Sequence, residues 1–135
     1  MTRVEIRVAT NEEGPIVGKL IYENGLTIEG LNWSDISPYW LVAIVSGEIV
    51  GAIQTLPGKP FGRIEILSVK QDLEPLVRAR VVGDLLENAV AVIRMFGGQV
   101  ASGLIPFRHK YYKKVLKKRG GLVLDSGNII YMGVS

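Results

Sequence analysis

One histidine, His109, and no cysteine stand in a chain of 135 residues, and that inventory removes several chemistries at once. Without thiols there are no disulfides, thiolate zinc sites, iron–sulfur ligands or cysteine nucleophiles. A single imidazole cannot build an all-histidine metal site, so no metal centre is expected. His109 has no identifiable serine or aspartate partner, and Ser68 lies in no nucleophile elbow, so neither is expected to drive covalent hydrolysis. Charge is the stronger signal. Arg108, Lys110, Lys113, Lys114, Lys117, Lys118 and Arg119 place seven positive groups between residues 108 and 119, whereas residues 1–107 carry nine basic and twelve acidic residues. The formal charge of +3 is therefore one local patch. Such a patch could contact phosphates, but it lacks the Asn or Gln that read base edges, so nucleic acid is not the expected partner. A solvated basic face is the plain alternative. Glu12, Glu13, Glu23 and Glu29 would suit a cationic amine, no more specifically than an ordinary surface.

The chain that must position these groups has the length of one domain, 1–135, and 47% apolar against 21% charged residues, enough to offset the entropy of ordering a single core. The start, MTRVEIRVAT, never develops the apolar stretch of a signal peptide. Ser46, Gly47 and Glu48 interrupt the most apolar region, 40–56. No membrane span is expected, and a cytoplasmic location is the default.

Elements follow from period. Thr2, Val4, Ile6 and Val8 alternate with charged residues as in a half-buried strand. Residues 12–38 are broken by glycine and proline, with a helical turn or two over Ile16–Tyr22 and another over Asp35–Trp40. Trp40–Val45, Ile49–Leu56 and Arg63–Val69 read as an antiparallel meander, the first two joined through Gly47. From Leu76 to Met95 the period becomes helical, with Val77, Val81, Leu85, Ala89 and Val92 on one face, and Gly97-Gly98 ends it. Gln99–Leu104 is a short strand. Pro106 opens a helix that carries Phe107, Tyr111, Tyr112 and Val115 on one side and the lysines on the other. Leu122–Leu124 and Ile129–Met132 close as a hairpin, whose edge would suit a homodimer. The class is α+β, a mostly antiparallel central sheet flanked by helices.

This order resembles the GNAT superfamily of acyl-CoA N-acyltransferases over nearly the whole chain. YWLVAIVSGEIVGAIQTL looks like that family's second and third strands, IEILSV like its fourth, VVGDLLENAVAVI like its cofactor-binding helix, and YYKKVLKKRGG like its final helix. The family's Arg/Gln-x-x-Gly-x-Gly/Ala loop falls on Arg78-Ala79-Arg80-Val81-Val82-Gly83, where the first arginine and last glycine remain and Val81 occupies the middle glycine position. The resemblance implies acetyl-CoA as cosubstrate, its pyrophosphate at the amides of Val82, Gly83 and Asp84. Arg78 and Arg80 would then compensate for the lost glycine, or stay in solvent beside Asp72 and Glu74. It also implies pantetheine along the main chain of Leu67, Ser68 and Val69, a segment equally suited to an ordinary central strand. Lys113, Lys114 or Lys117 could serve the coenzyme's 3′-phosphate.

Amine acylation needs a base for the ammonium and an acid for the leaving thiolate. Glu65, on the strand that would border the substrate, is the candidate base; a surface pair with Arg63 is its alternative. The family's acidic tyrosine falls at Leu116 or Lys117 here, and Tyr112, one turn earlier, is the candidate acid or else a core-edge aromatic. The implied activity is acetyl transfer from the coenzyme A thioester to a primary amine, on a small molecule or a protein. A catalytically inactive structural or acyl-CoA-binding protein is the alternative, favoured by Val81 and the displaced tyrosine.

Overall fold

A computed structural model describes residues 3–26, 30, 32–104, 114, 117–118, 122–123 and 129–133. Its elements run in the order β1 (Glu5–Val8), a 3-10 turn (Asn11–Glu13), α1 (Gly14–Glu23), α2 (Trp33–Ile36), a second 3-10 turn (Ser37–Tyr39), β2 (Trp40–Val45), β3 (Glu48–Leu56), β4 (Phe61–Val69), α3 (Pro75–Met95), β5 (Val100–Leu104), β6 (Leu122–Val123) and β7 (Ile129–Gly133). The strands form one sheet in the order β1-β2-β3-β4-β5-β7-β6. Every pairing is antiparallel except β4 with β5. That exception follows from topology, because α3 carries the chain over one face of the sheet and returns it in the original direction.

The expected meander and long helix are present. The β2–β3 hairpin closes through Ser46 and Gly47, both with positive φ, the geometry that matches strand twist. α1 is longer than its broken sequence suggests, and β1 begins at Glu5 rather than Thr2. Lys114, Lys117 and Lys118 are helical and exposed, whereas Tyr112 and most of the basic segment lie outside the described residues.

Two cores sandwich the sheet. On one face Val81, Val82, Leu85, Leu86 and Ala89 of α3 pack on Leu41, Ala43, Ile53 and Val69. On the other, Val17, Leu20 and Ile21 of α1 pack on Trp40, Val42 and Ala52. The α3 seat is tight at Gly51, where an added Cβ would lie 2.9 Å from Val81 Cγ1 and 3.0 Å from Leu85 Cδ1. Leu85 is fully buried. Leu85→Ala should therefore lower stability by about 2–5 kcal/mol, against less than about 0.5 kcal/mol for Lys114→Ala, as read by chemical denaturation.

An ion pair ties β1 to the entry of α1. Arg7 Nη1 and Nη2 donate to the two Glu13 oxygens at 2.8 and 2.7 Å, and the Thr10 amide donates to Oε1 at 2.7 Å. The guanidinium holds the Glu13 carboxyl down from 4.5 to about 2, opposed by burial and helped by the Thr10 amide. A depressed carboxylate pKa adds stability that is complete above the ordinary value and lost as pH falls through the folded one. Arg7→Ala should thus cost about 1–2 kcal/mol near neutrality and flatten the acid-induced loss between about pH 4.5 and 2. Thermal melts across that range check both effects.

Candidate active site

The middle of β4 departs from a regular strand. Gln54 pairs with Glu65 and Ala52 with Ser68, so two steps along β3 match three along β4. Ile66 and Leu67 together oppose Ile53, a β-bulge. Ile66 takes φ 53, a region that β-branched side chains strongly disfavour. The extra residue reverses the facing of all that follows. Ile66 joins the α1-side core and Leu67 the α3-side core, so Arg63, Glu65, Leu67 and Val69 do not share one face.

Glu65 lies opposite Gln54, which lies opposite Trp40, so all three side chains belong to the α1 face. The Glu65 side chain is 25% exposed and accepts from the more exposed Arg63 guanidinium. Ser68 faces the same side in the next row, fully buried, and its hydroxyl finds no hydrogen-bond partner among the described residues.

The parallel ladder between β4 and β5 covers only Phe61–Ile64 against Val100–Gly103. At its last pair a Cβ on Gly103 would lie 2.4 Å from the Ile64 carbonyl oxygen, so only glycine allows that approach. Beyond it β4 runs on to Val69, paired with β3 on one edge but with no strand on its β5 edge among the described residues. The main chain of Leu67 and Ser68 therefore borders an unmatched strand edge. The Val69 carbonyl already accepts from Asn24 Nδ2 at 3.2 Å.

Asn24, 3% exposed, begins a chain of hydrogen bonds. Its Nδ2 also donates to the Leu20 carbonyl at 2.8 Å, and its Oδ1 accepts from Gln71 Nε2 at 3.4 Å. The Gln71 carbonyl in turn accepts from the Arg78 guanidinium. The α1 C-terminus, the end of β4 and the first turns of α3 are thereby joined.

The expected phosphate cradle is not formed where the resemblance put it. α3 begins at Pro75, so Arg78 to Gly83 are helical and the amides of Val82, Gly83 and Asp84 belong to the internal ladder, about 10 Å along the axis from the helix start. The Arg78 amide already donates to the Glu74 carbonyl at 2.9 Å. Pro75 has no N–H, which leaves Leu76 and Val77 as the first-turn donors outside that ladder. Val81 is fully buried against Gly51, so the position that the resemblance matched to a loop glycine serves the core here. Arg80 Nε reaches Asp84 Oδ2 at 3.4 Å.

Glu65 and Ser68 thus meet on the α1 face beside the bulge, while Arg78 and Arg80 lie on the helix across the Lys70–Glu74 connection. Among the described residues no cluster of three His, Asp or Glu could hold a metal ion, and no helix is long and apolar enough to cross a membrane. The bulge was missed from sequence. Its one signal is the adjacent Ile66-Leu67, a break in the alternation of β4.

Several solved acetyltransferases share this architecture. Ard1 from Thermoplasma volcanium is 16% identical, with a TM-score of 0.75 over 98% of both chains. A GNAT-family acetyltransferase from Staphylococcus aureus is 12% identical, with a TM-score of 0.76 over 98% of this chain and 100% of its own. The yncA protein of Salmonella typhimurium, solved with its cofactor acetyl-CoA, is 12% identical, with a TM-score of 0.74 over 98% of this chain and 94% of its own. No protein-family model matches the chain, and no curated protein is similar to it. The chain has the fold of the GNAT acetyltransferases.

The unpaired Ser68 hydroxyl yields a direct expectation. Ser68→Ala removes a buried polar atom that has no partner among the described residues and should leave stability unchanged or raise it by up to about 1 kcal/mol, measured by thermal unfolding.

Proposed function

We propose that this chain transfers an acetyl group from acetyl-CoA to a primary amine, with the thioester against the edge of β4. The observation that carries this reading is the bulged run Glu65–Val69, which extends past the last β5 pair. A strand edge of this kind offers main-chain groups to an extended pantetheine arm, and such recognition requires no polar side chain. Leu67 and Ser68 are its principal contacts, with Val69 at the end. Arg78 and Arg80 neutralise the pyrophosphate through their side chains, assisted by the amides of Leu76 and Val77. A diphosphate would offer both guanidinium groups charge-assisted bonds in place of the Gln71 carbonyl and the Asp84 carboxylate.

Glu65 takes the proton of the incoming ammonium, directly or through water. The neutral amine attacks the thioester carbonyl, the C–S bond breaks, and the thiolate receives a proton from Tyr112 or from water, which is in turn reprotonated by the proton that the new amide nitrogen sheds. A second reading, a coenzyme-binding or structural protein without turnover, is favoured by the helical state of Arg78–Gly83 and by the Arg63–Glu65 pair.

Isothermal titration with acetyl-CoA should give saturable heat, weakened about tenfold or more by Arg78→Ala. Thiol release across an amine panel should fall about a hundredfold or more in Glu65→Gln with coenzyme affinity retained. Absence of binding at millimolar ligand rejects the acyltransferase reading. Binding with no thiol release from any amine supports the second reading.

A further inference from the structure

A cleft of about 660 Å³ lies on the α1 side of the sheet, between α1 and the hairpin of β2 and β3. It shares no lining residue with the proposed coenzyme site, although Lys70 directly follows β4. α2 has a single turn, so among the described residues α1 is the principal helix on this face, and the outer part of the sheet near the hairpin is left as an open groove. Ile16 and Leu20 of α1 form one wall, and Ile44 and Ile49 form the other. Ile16 is 49% exposed, although its position within this apolar lining would ordinarily favour burial.

Charge frames these walls in matched pairs. The Lys19 ammonium and Glu23 carboxylate lie 4.0 Å apart on α1, and Lys70 Nζ lies 2.8 Å from Glu48 Oε1 at the hairpin. Arg7 and Glu13 close the back through their two-pronged contact. The lining therefore holds three cations and three anions, with no excess of either sign. A ligand of one sign that parted Lys19 from Glu23 or Arg7 from Glu13 would leave the other member to solvent alone, while Lys70 would keep Asp72 Oδ1 at 3.9 Å. A ligand carrying both signs replaces a pair with two new ones. Lys19–Glu23 is the pair that can open, because its separation is at the limit of an ion pair and both groups are solvated, at 78% and 41% exposure. The volume falls within the range of small-molecule sites, about 300–1,000 Å³, where apolar walls supply affinity and a few polar groups fix orientation.

We propose that this cleft is a binding site for a short zwitterionic peptide with an aliphatic side chain. The side chain enters between Ile16, Leu20, Ile44 and Ile49. The peptide carboxylate pairs with Lys19 and its ammonium with Glu23 or Glu48. The site is independent of the acyltransfer reading, and its test omits coenzyme, so failure of either leaves the other standing.

The probe is alanyl-leucyl-alanine with free termini, titrated into the full chain by calorimetry. Saturable binding with a dissociation constant at or below about 1 mM is expected. N-acetylation plus C-amidation of the peptide should weaken it at least about tenfold, as should serine in place of the central leucine, each tenfold being about 1.4 kcal/mol. Ile16→Ser and Lys19→Ala, both at exposed positions of α1, should each weaken binding about three- to tenfold, with circular dichroism verifying the fold of both variants. No saturable heat at roughly 10 mM peptide overturns the proposal. So does equal binding of the blocked peptide, or unchanged affinity in both variants.

Discussion

Val81 and Leu85 rest on the bare backbone of Gly51, and the position of α3 over the sheet depends on that contact. A side chain at Gly51 would lift the helix, while a glycine at Val81 would leave the contact half empty. Once Val81 is committed to the core, the residues before it are drawn into the same helix, and Pro75 begins it at a position where the missing N–H costs nothing. A helix that begins at Pro75 thus leaves no glycine-rich loop at residues 78–83. Arginine side chains and two first-turn amides remain where a continuous run of main-chain donors is expected.

The bulge in β4 answers a different requirement. A strand flanked by cores on both faces normally alternates its side chains between them. One inserted residue sends Glu65 and Ser68 to the α1 face and Leu67 and Val69 to the α3 face. The strain at Ile66 is offset by burial of Ile66 and Leu67 in opposite cores. The parallel ladder with β5 ends just before this irregularity, so among the described residues the distorted part of β4 is paired on its β3 edge alone.

Much of this architecture was legible from period alone. The meander, the apolar stripe of α3 and the punctuation at Gly47 and Gly97 each express a local rule, and each falls within a residue or two of its expected place. The helix start shows how local evidence and resemblance can disagree. Periodicity already put the first helical residue at Leu76, yet the family pattern asked for free amides at Val82 to Asp84, two turns further on. Those two expectations are physically incompatible, and the periodic one agrees with the fold. α1 was harder to read because Gly14, Pro15 and Gly18 lower its propensity, and burial of Val17, Leu20 and Ile21 against the sheet overrides that cost. The bulge is marked only by the adjacent Ile66-Leu67, because a left-handed isoleucine has no compositional mark of its own: the surrounding structure rather than the residue imposes it.

The hydrogen-bonded chain through Asn24 and Gln71 has a mechanical consequence. Asn24 closes the end of α1, holds the last carbonyl of β4 and meets Gln71, whose own carbonyl engages Arg78. The end of α1 is thereby latched to the β4–α3 connection, some 45 residues further along the chain, at one corner of the sheet. A rotation of α1 cannot occur there without straining the lead-in to α3 or breaking a buried amide contact. The two faces of the sheet, with separate cores and separate helices, are thus joined at that corner by side-chain hydrogen bonds as well as by the sheet.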